Sequence, residues 1–399
     1  MNELIAAKVI WDGGPNLSIP PQMGTPNNSQ MFGTVAEQLG ELAGRICYDS
    51  LGKGRPSFTE EVVTGVDRHT GEQLLKTVQG YHDHILETKN LSVHEHFNAT
   101  IRIPFGIDVV DDNRKMLVAM HMLNRPGVFT GVGVNPAGIR SLRVTLNARC
   151  VLEWDAWSRS MYGYRDDQFM LDHQIEYILR LHFHEIAPHV VSTIEAPCDL
   201  WPELINAELD IPIHDEERWV SMYMSGSRGF SHELVRHGDR SAISQRSTRY
   251  VDESESDWVT HPLESAFIDQ MPSDDARDWV EAGGLGVIGP SQIHYKYCVS
   301  SLEPWLISRG VDKATARKQS RGAARGYLGN ALFTELVFSA SVAQWKRMIQ
   351  QRASPFADAE IRECFCKAIK ELKESRYADC FEEYRLVDSP DGIGQIAVT

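Results

Sequence analysis

Arg236-His237-Gly238-Asp239-Arg240-Ser241-Ala242-Ile243-Ser244-Gln245-Arg246-Ser247-Thr248-Arg249-Tyr250 crowds four arginines and four small hydroxyl side chains into fifteen residues of a chain whose formal net charge is -15. Arginine presents planar, permanently charged donors that grip phosphate in pairs. Serine hydroxyls and backbone N–H groups at a turn supply further donors to an anion. The run therefore points to a site for a phosphorylated ligand. The plainer reading is an exposed, solvated helix face studded with arginine.

Outward from that run, length and composition narrow the class. At 399 residues the chain exceeds one simple core, so two domains or one elaborated domain are expected. A hydrophobic share of 42% with 24% charged residues is that of a globular protein. No apolar run approaches the ~20 residues of a membrane span. Met1-Asn2-Glu3-Leu4-Ile5-Ala6-Ala7-Lys8 lacks the basic start and apolar stretch of a secretory signal. Seven cysteines without framework spacing fit a reducing cytoplasm better than a disulfide scaffold. The acidic balance disfavours DNA or RNA as a partner, because duplex affinity rests largely on neutralising phosphates.

The local patterns read as α+β, an antiparallel sheet flanked by helices. Helices are expected over 33–50 and over 71–90, where Leu74, Leu75, Val78, Tyr81, Ile85 and Leu86 fall at helical spacing. Further helical segments are expected near 165–187 and 340–375. Residues 97–103 alternate as a strand, and 219–224 resemble them. Ser141–Leu146 is a strand running directly into a helix at Asn147, and Thr334–Ala340 runs in the same way into a helix at Ser341. These echoes suggest an internal duplication, with halves 1–205 and 206–399 and a long insertion over 108–215 in the first. Short strand-to-helix joins are common, so coincidence is the competing reading.

The motifs, taken together, resemble the flavin-dependent thymidylate synthases (ThyX). Arg236-His237 and Ser244-Gln245-Arg246-Ser247-Thr248-Arg249-Tyr250 are similar to the two ends of that family's arginine signature, and Ser231-His232-Glu233-Leu234-Val235 leads into it as a helix. Ala43 to Ser50 and Glu95-His96 match the family's first third. Arg325-x-x-Leu328, Thr334-Glu335-Leu336, Arg352-Ala353-Ser354 and Glu360-Ile361-Arg362 match its last third. Four departures stand out. Gly238-Asp239 interrupts the arginine triplet, which displaces Arg240. The stretch from His96 to Arg236 is far longer than the family's link. Ser341-Val342-Ala343 stands where the family has Asn-x-Arg, and Phe356 stands where a histidine is often found. The missing Asn-x-Arg occurs instead as Asn147-Ala148-Arg149 in the first half.

The resemblance implies a ThyX-like fold in two related halves and a conversion of dUMP to dTMP. FAD would be the cofactor, with methylenetetrahydrofolate and NADPH as co-substrates. Candidate catalytic residues are Arg352, a guanidinium near the uracil ring, and Ser247. Ser247 is read as a ligand rather than a nucleophile, because no general base adjoins it. Nucleotide contacts would come from Glu233, Arg236, Gln245, Arg246, Ser247, Arg249 and Arg325. Flavin contacts would come from His96, Asn98, Asn147, Arg149, Arg236, His237, Arg240 and Gln245. Family members resemble tetramers with sites assembled from several chains, so a homo-oligomer is expected: a dimer if the chain is duplicated, a tetramer otherwise.

A Rossmann domain is not expected. Histidine pairs at 82/84, 94/96 and 182/184 invite a metal reading, but i and i+2 on a helix do not share a face and no ligand set completes a zinc spacing. No metal is expected. Two other functions compete: a related flavoenzyme that methylates or hydroxymethylates C5 of another pyrimidine nucleotide, and a lapsed homologue that binds nucleotide or flavin without turnover.

Overall fold

The computed structural model describes residues 4–12, 34–50, 62–66, 73–76, 81–82, 85, 91–104, 128–134, 140–153, 214–238 and 241–397. Its centre is a four-stranded antiparallel sheet in the order β1-β7-β9-β8. These strands are β1 (Ala6–Trp11), β7 (Trp219–Ser227), β8 (Ser241–Gln245) and β9 (Phe333–Ser341). A second antiparallel sheet of three strands runs β4-β6-β5, formed by β4 (Asn98–Pro104), β5 (Val128–Val134) and β6 (Arg140–Asn147). Two hairpins complete the strands among the described residues, β2 (Val62–Val66) with β3 (Gln73–Lys76), and β10 (Leu386–Val387) with β11 (Gln395–Ile396).

Alternation along β7 and β9 makes the central sheet two-faced, as the period of two requires. Val220, Met222 and Met224 pair across strands with Ala340, Phe338 and Leu336, and all six enter the main core. That core is closed by helices α8 (Val342–Arg352) and α9 (Ala359–Glu374), which contribute Trp345, Met348, Ile349, Ile361, Phe365, Ile369 and Leu372. Phe338 meets Trp345 edge-on with centroids 5.3 Å apart, a favoured aromatic geometry. The intervening residues Ser221, Tyr223 and Ser225 carry hydroxyls to the opposite face.

Helix α1 (Val35–Cys47) packs over β8 and β9. Thr34 and Glu37 form a reciprocal cap at its start. Gly40 is needed for close approach, since a Cβ there would lie 2.6 Å from the His94 ring. A short 3-10 helix, Leu91–His96, then leads into β4 and lies against β8. Beyond β6 comes α2 (Ala148–Leu152), and beyond β7 comes α3 (Arg228–Leu234). Between β8 and β9 the chain makes a long excursion through α4 (Pro262–Ile268), α5 (Ser273–Gly283), α6 (Gly289–Ser308) and α7 (Lys313–Ala324).

The α+β expectation holds, as do the helix near 33–50 and the strands at 97–103, 141–146, 219–224 and 334–340. One element is corrected. The helix expected over 71–90 is not continuous, because Gln73–Lys76 is a strand paired with Val62–Val66. Leu74 and Leu75 satisfied helical spacing by coincidence, while Val62-Val63-Thr64 offered them a β-branched partner strand. The helical stretch 340–375 is two helices divided at 353–358. The helix expected over 165–187 lies outside the described residues.

Candidate functional site

The site is built where α3 and α8 end side by side. Ser227, the last residue of β7, caps α3: its Oγ accepts the Phe230 N–H at 3.1 Å. Buried Glu360 holds this junction from α9, accepting the Ser227 N–H and hydroxyl at 2.6 Å each. Helix α3 then delivers Glu233 and passes into the 3-10 turn Val235–His237, which delivers Arg236 and His237. Arg352, the last residue of α8, reaches across to both: Nε donates to His237 Nε2 at 2.5 Å, and Nη1 donates to Glu233 at 2.9 Å. Gln344 Nε2 donates to the His237 carbonyl at 3.2 Å.

Accepting at Nε2 makes His237 a neutral imidazole whose proton sits on Nδ1. Its pKa is lowered, first by burial and then by the Arg352 charge. Glu233, His237 and Arg352 therefore form a compact set with an acceptor, a neutral donor and a guanidinium.

The loop after β8 forms the second wall. Gln245 Nε2 donates to Ser231 at 2.8 Å and to Thr334 at 3.0 Å, which ties β8 to α3 and β9. The Ser247 N–H donates to the Cys47 carbonyl at 3.0 Å, and Ser247 Oγ accepts the Arg249 N–H at 3.4 Å. Asp49 lies just beyond α1 with φ 48°, a conformation aspartate tolerates better than most residues. Its carboxylate stands 3.4 Å from Arg246. Arg246 also donates to both oxygens of Glu253, at 3.4 and 3.2 Å, and Glu335 is 3.9 Å away.

Arg246 is thus neutralised inside the protein, whereas Arg236, Arg249 and Arg325 are exposed and have no carboxylate partner within ion-pair distance among the described residues. Arg249 lies over the Tyr250 ring at 6.0 Å, and Lys318 lies over the same ring at 4.8 Å. Arg228 is a site residue that sequence reading passed over. Its pKa is lowered by burial and, against the Glu253 charge, by Arg325 beside it. Its one local signal is its place directly after the Ser227 cap.

His96, expected among flavin contacts, is wholly buried. Nδ1 meets Ser339 Oγ at 2.7 Å and Nε2 meets Ser244 Oγ at 2.8 Å, so both ring nitrogens are engaged inside the protein. Asn98 is 8% exposed, and neither end of its amide has a partner among the described residues. Asn147 Oδ1 caps α2 by accepting the Cys150 N–H at 2.9 Å. Arg149 donates to Glu95 at 2.6 Å and to Glu153 at 3.2 Å, and the Glu95 bond leads in raising its pKa. Arg240 lies outside the described residues. Two of the paired histidines do meet, His82 Nδ1 and His94 Nε2 at 3.2 Å, but no group of three or more candidate metal ligands forms among the described residues.

Comparison with known proteins covers the half that holds these cations. Residues 217–375 match the family described as thymidylate synthase complementing protein. A flavin-dependent thymidylate synthase of Mycolicibacterium vanbaalenii is 33% identical over 178 residues, which is 44% of this chain and 66% of that one. Those of Mycobacterium sp. (strain KMS) and Mycobacterium marinum are each 35% identical, covering 67% and 66% of their own lengths. The chain thus spans about two thirds of the length of the relatives it matches. Glu233, Arg236, His237, the 245–249 loop, Arg325 and Arg352 all fall within the matched residues, on one connected framework. The chain belongs to the family of thymidylate synthase complementing proteins.

Proposed function

We propose that this protein catalyses the reductive methylation of dUMP to dTMP, with FAD as cofactor, methylenetetrahydrofolate as carbon donor and NADPH as electron donor. One observation carries the reading: the Glu233–His237–Arg352 cluster stands on the same framework as three arginines without carboxylate partners, in a chain of net charge -15. Uncompensated guanidinium groups on an acidic protein are a site for phosphate. They fit both a nucleotide and a flavin dinucleotide, and the unpartnered Asn98 amide is a further donor and acceptor for a polar ring.

In this reading Arg249, Arg325 and Ser247 hold the nucleotide phosphate, with Arg246 fixing the loop that carries them. Gln245 sets the loop's distance from α3. Arg352 stands at the uracil ring. C5 of uracil is a weak nucleophile until negative charge develops in the ring, and a fixed guanidinium stabilises that charge. Glu233 orients Arg352, and neutral His237 leaves its Nδ1–H for a carbonyl or phosphate oxygen. Arg236 and Arg240 serve the flavin pyrophosphate. When bound, the flavin supplies hydride and carries the one-carbon unit; the protein contributes orientation and electrostatics.

The three-stranded sheet and the β7-β9-β8 part of the central sheet are proposed to belong to related halves, divided near residue 205. The molecule is proposed to work as a homo-oligomer in a reducing compartment, the cytoplasm. Its six described cysteines are all free thiols, and no described helix is long and apolar enough to cross a membrane. A second reading, C5 modification of another pyrimidine nucleotide, draws on Glu233, whose carboxylate beside Arg352 offers an acceptor to a ring amino group. Mass analysis of products after incubation with dUMP or dCMP, methylenetetrahydrofolate and NADPH separates the two. A 14-dalton gain on dUMP alone is expected; no product from either nucleotide would sink both.

A further inference from the structure

The three-stranded sheet shares one plan with strands β7, β9 and β8 of the central sheet, to whose β7 edge β1 is added. In β4-β6-β5 and in β7-β9-β8 the third strand of each unit in chain order lies between the first and second, all antiparallel. In both, the middle strand runs into a helix capped by its own last side chain: Asn147 accepts the Cys150 N–H, and Ser341 accepts the Gln344 N–H at 3.2 Å. Registers agree as well. The cap lies opposite the first residue of the first strand, Asn98 or Trp219. The residue before the cap lies opposite the first residue of the second strand, Val128 or Ser241. Chance joins of strand to helix do not predict matching registers on both sides of the middle strand.

Laying one register on the other shows what each unit has kept. Arg149 stands where the second unit has Ala343. The sequence between β4 and β5 holds two arginines, Arg114 and Arg125, and no run like that over 236–250. The first unit therefore lacks the arginine run, and the second lacks the Asn-x-Arg. The units also touch: the 91–96 turn before β4 lies on β8, the His96 ring joins Ser244 and Ser339, and the Ser221 hydroxyl donates to the His96 carbonyl.

We infer that the chain is two fused copies of one unit that diverged in complementary directions. One position is complete, with the cations of the second copy finished by Asn98, Asn147 and Arg149 of the first. The equivalent position, with Ala343 in place of Arg149, is blank. This rests on the flavin-nucleotide reading above and adds a stoichiometry to it: one flavin per chain, held across two halves of the same molecule.

The test is flavin released per chain from FAD-saturated, denatured protein, together with FAD affinity of Arg149→Ala and Asn98→Ala measured by fluorescence quenching. One flavin per chain, with tenfold or greater weakening in either variant and unchanged circular dichroism, is expected. Two per chain would show that the second position works. One per two chains would show that the site is completed between molecules. Either result overturns the inference while leaving the functional reading intact, as would wild-type affinity in both variants. Should Arg149→Ala misfold, Arg149→Gln replaces it by the same criteria. Binding of neither FAD nor dUMP by the wild type would overturn the functional reading first, and this inference with it.

Discussion

Arg249 and Arg246 are three residues apart in one loop and have opposite fates. Arg246 is closed in by Glu253, Asp49 and Glu335, while Arg249 faces outward with Tyr250 and the Gly322 backbone for neighbours. A charge-assisted hydrogen bond contributes roughly 1.5–3 kcal/mol net, and ~1.4 kcal/mol is tenfold in affinity. Arg249→Ala is therefore expected to weaken dUMP binding at least tenfold by calorimetric titration; unchanged affinity would remove Arg249 from the phosphate site. In the proposed reaction, Arg352 acts on charge that develops in the uracil ring. Arg352→Ala should lower kcat by about a hundredfold or more, a larger effect than on dUMP affinity. An equal loss in kcat/KM with kcat unchanged would reassign it to binding alone.

At the scale of elements, the site depends on how strand passes into helix. The β7–α3 junction is held by Glu360 from a helix more than a hundred residues away in sequence. Glu360→Ala leaves the buried Ser227 N–H without its acceptor, a loss of roughly 1–3 kcal/mol. Urea unfolding should show a lower midpoint with an unchanged slope, and Glu360→Gln should recover most of it. The 91–96 turn has a different dependence. Burial lowers the pKa of His96 to about 3 and of His94 to about 4, and holds His82 well below its ordinary value. The unfolded chain takes up these protons near pH ~6.5 and the folded chain does not, so stability is retained above that pH and lost below it. Each imidazole contributes at most ~1.4 kcal/mol per pH unit. The melting temperature should stay flat from pH 8 to 7 and fall below 6, and His94→Gln should flatten that fall. A wild-type melting temperature that holds constant to pH 5 would contradict neutral burial.

At the scale of the whole molecule, α6 carries the apolar face that the proposed homo-oligomer would use. Tyr295 packs inward, yet Ile293, Tyr297 and Ile307 stand on the opposite side, 68%, 67% and 42% exposed. With Ser300 and Pro304 they recur at spacings of four and three, the seam of a helix that packs against another helix. With Val287 and Trp305 nearby, this face offers on the order of 500 Å² of apolar surface. Its polar rim brings it near the ~800 Å² that each partner contributes to a stable interface. In the proposed homo-oligomer, a second copy of the chain meeting α6 with its own α6 would satisfy this face self-complementarily. Tyr297→Glu should convert the oligomer to a smaller species in sedimentation analysis; an unchanged mass would place the interface elsewhere.

Much of this was legible along the chain because it is local. The likeness of 219–224 to 97–103 marked β7, the strand-to-helix joins at 147 and 341 marked β6 and β9 with the helices after them, and the arginine run pointed to the proposed anion site. Sequence by itself determined the kind of chemistry, since a guanidinium is charged in any surroundings and the motifs occur in family order. It misplaced the 71–90 helix, because two leucines fit either period and only a partner strand decides between them. Tertiary structure alone decided which cations are available. It closed three carboxylates around Arg246, left Arg249 open, engaged both nitrogens of His96, and brought Arg352 onto Glu233 and His237 from 119 and 115 residues away. The physical reason is range: periodicity and capping act between neighbours in sequence, whereas neutralisation and burial of a charge depend on what the whole fold carries to it.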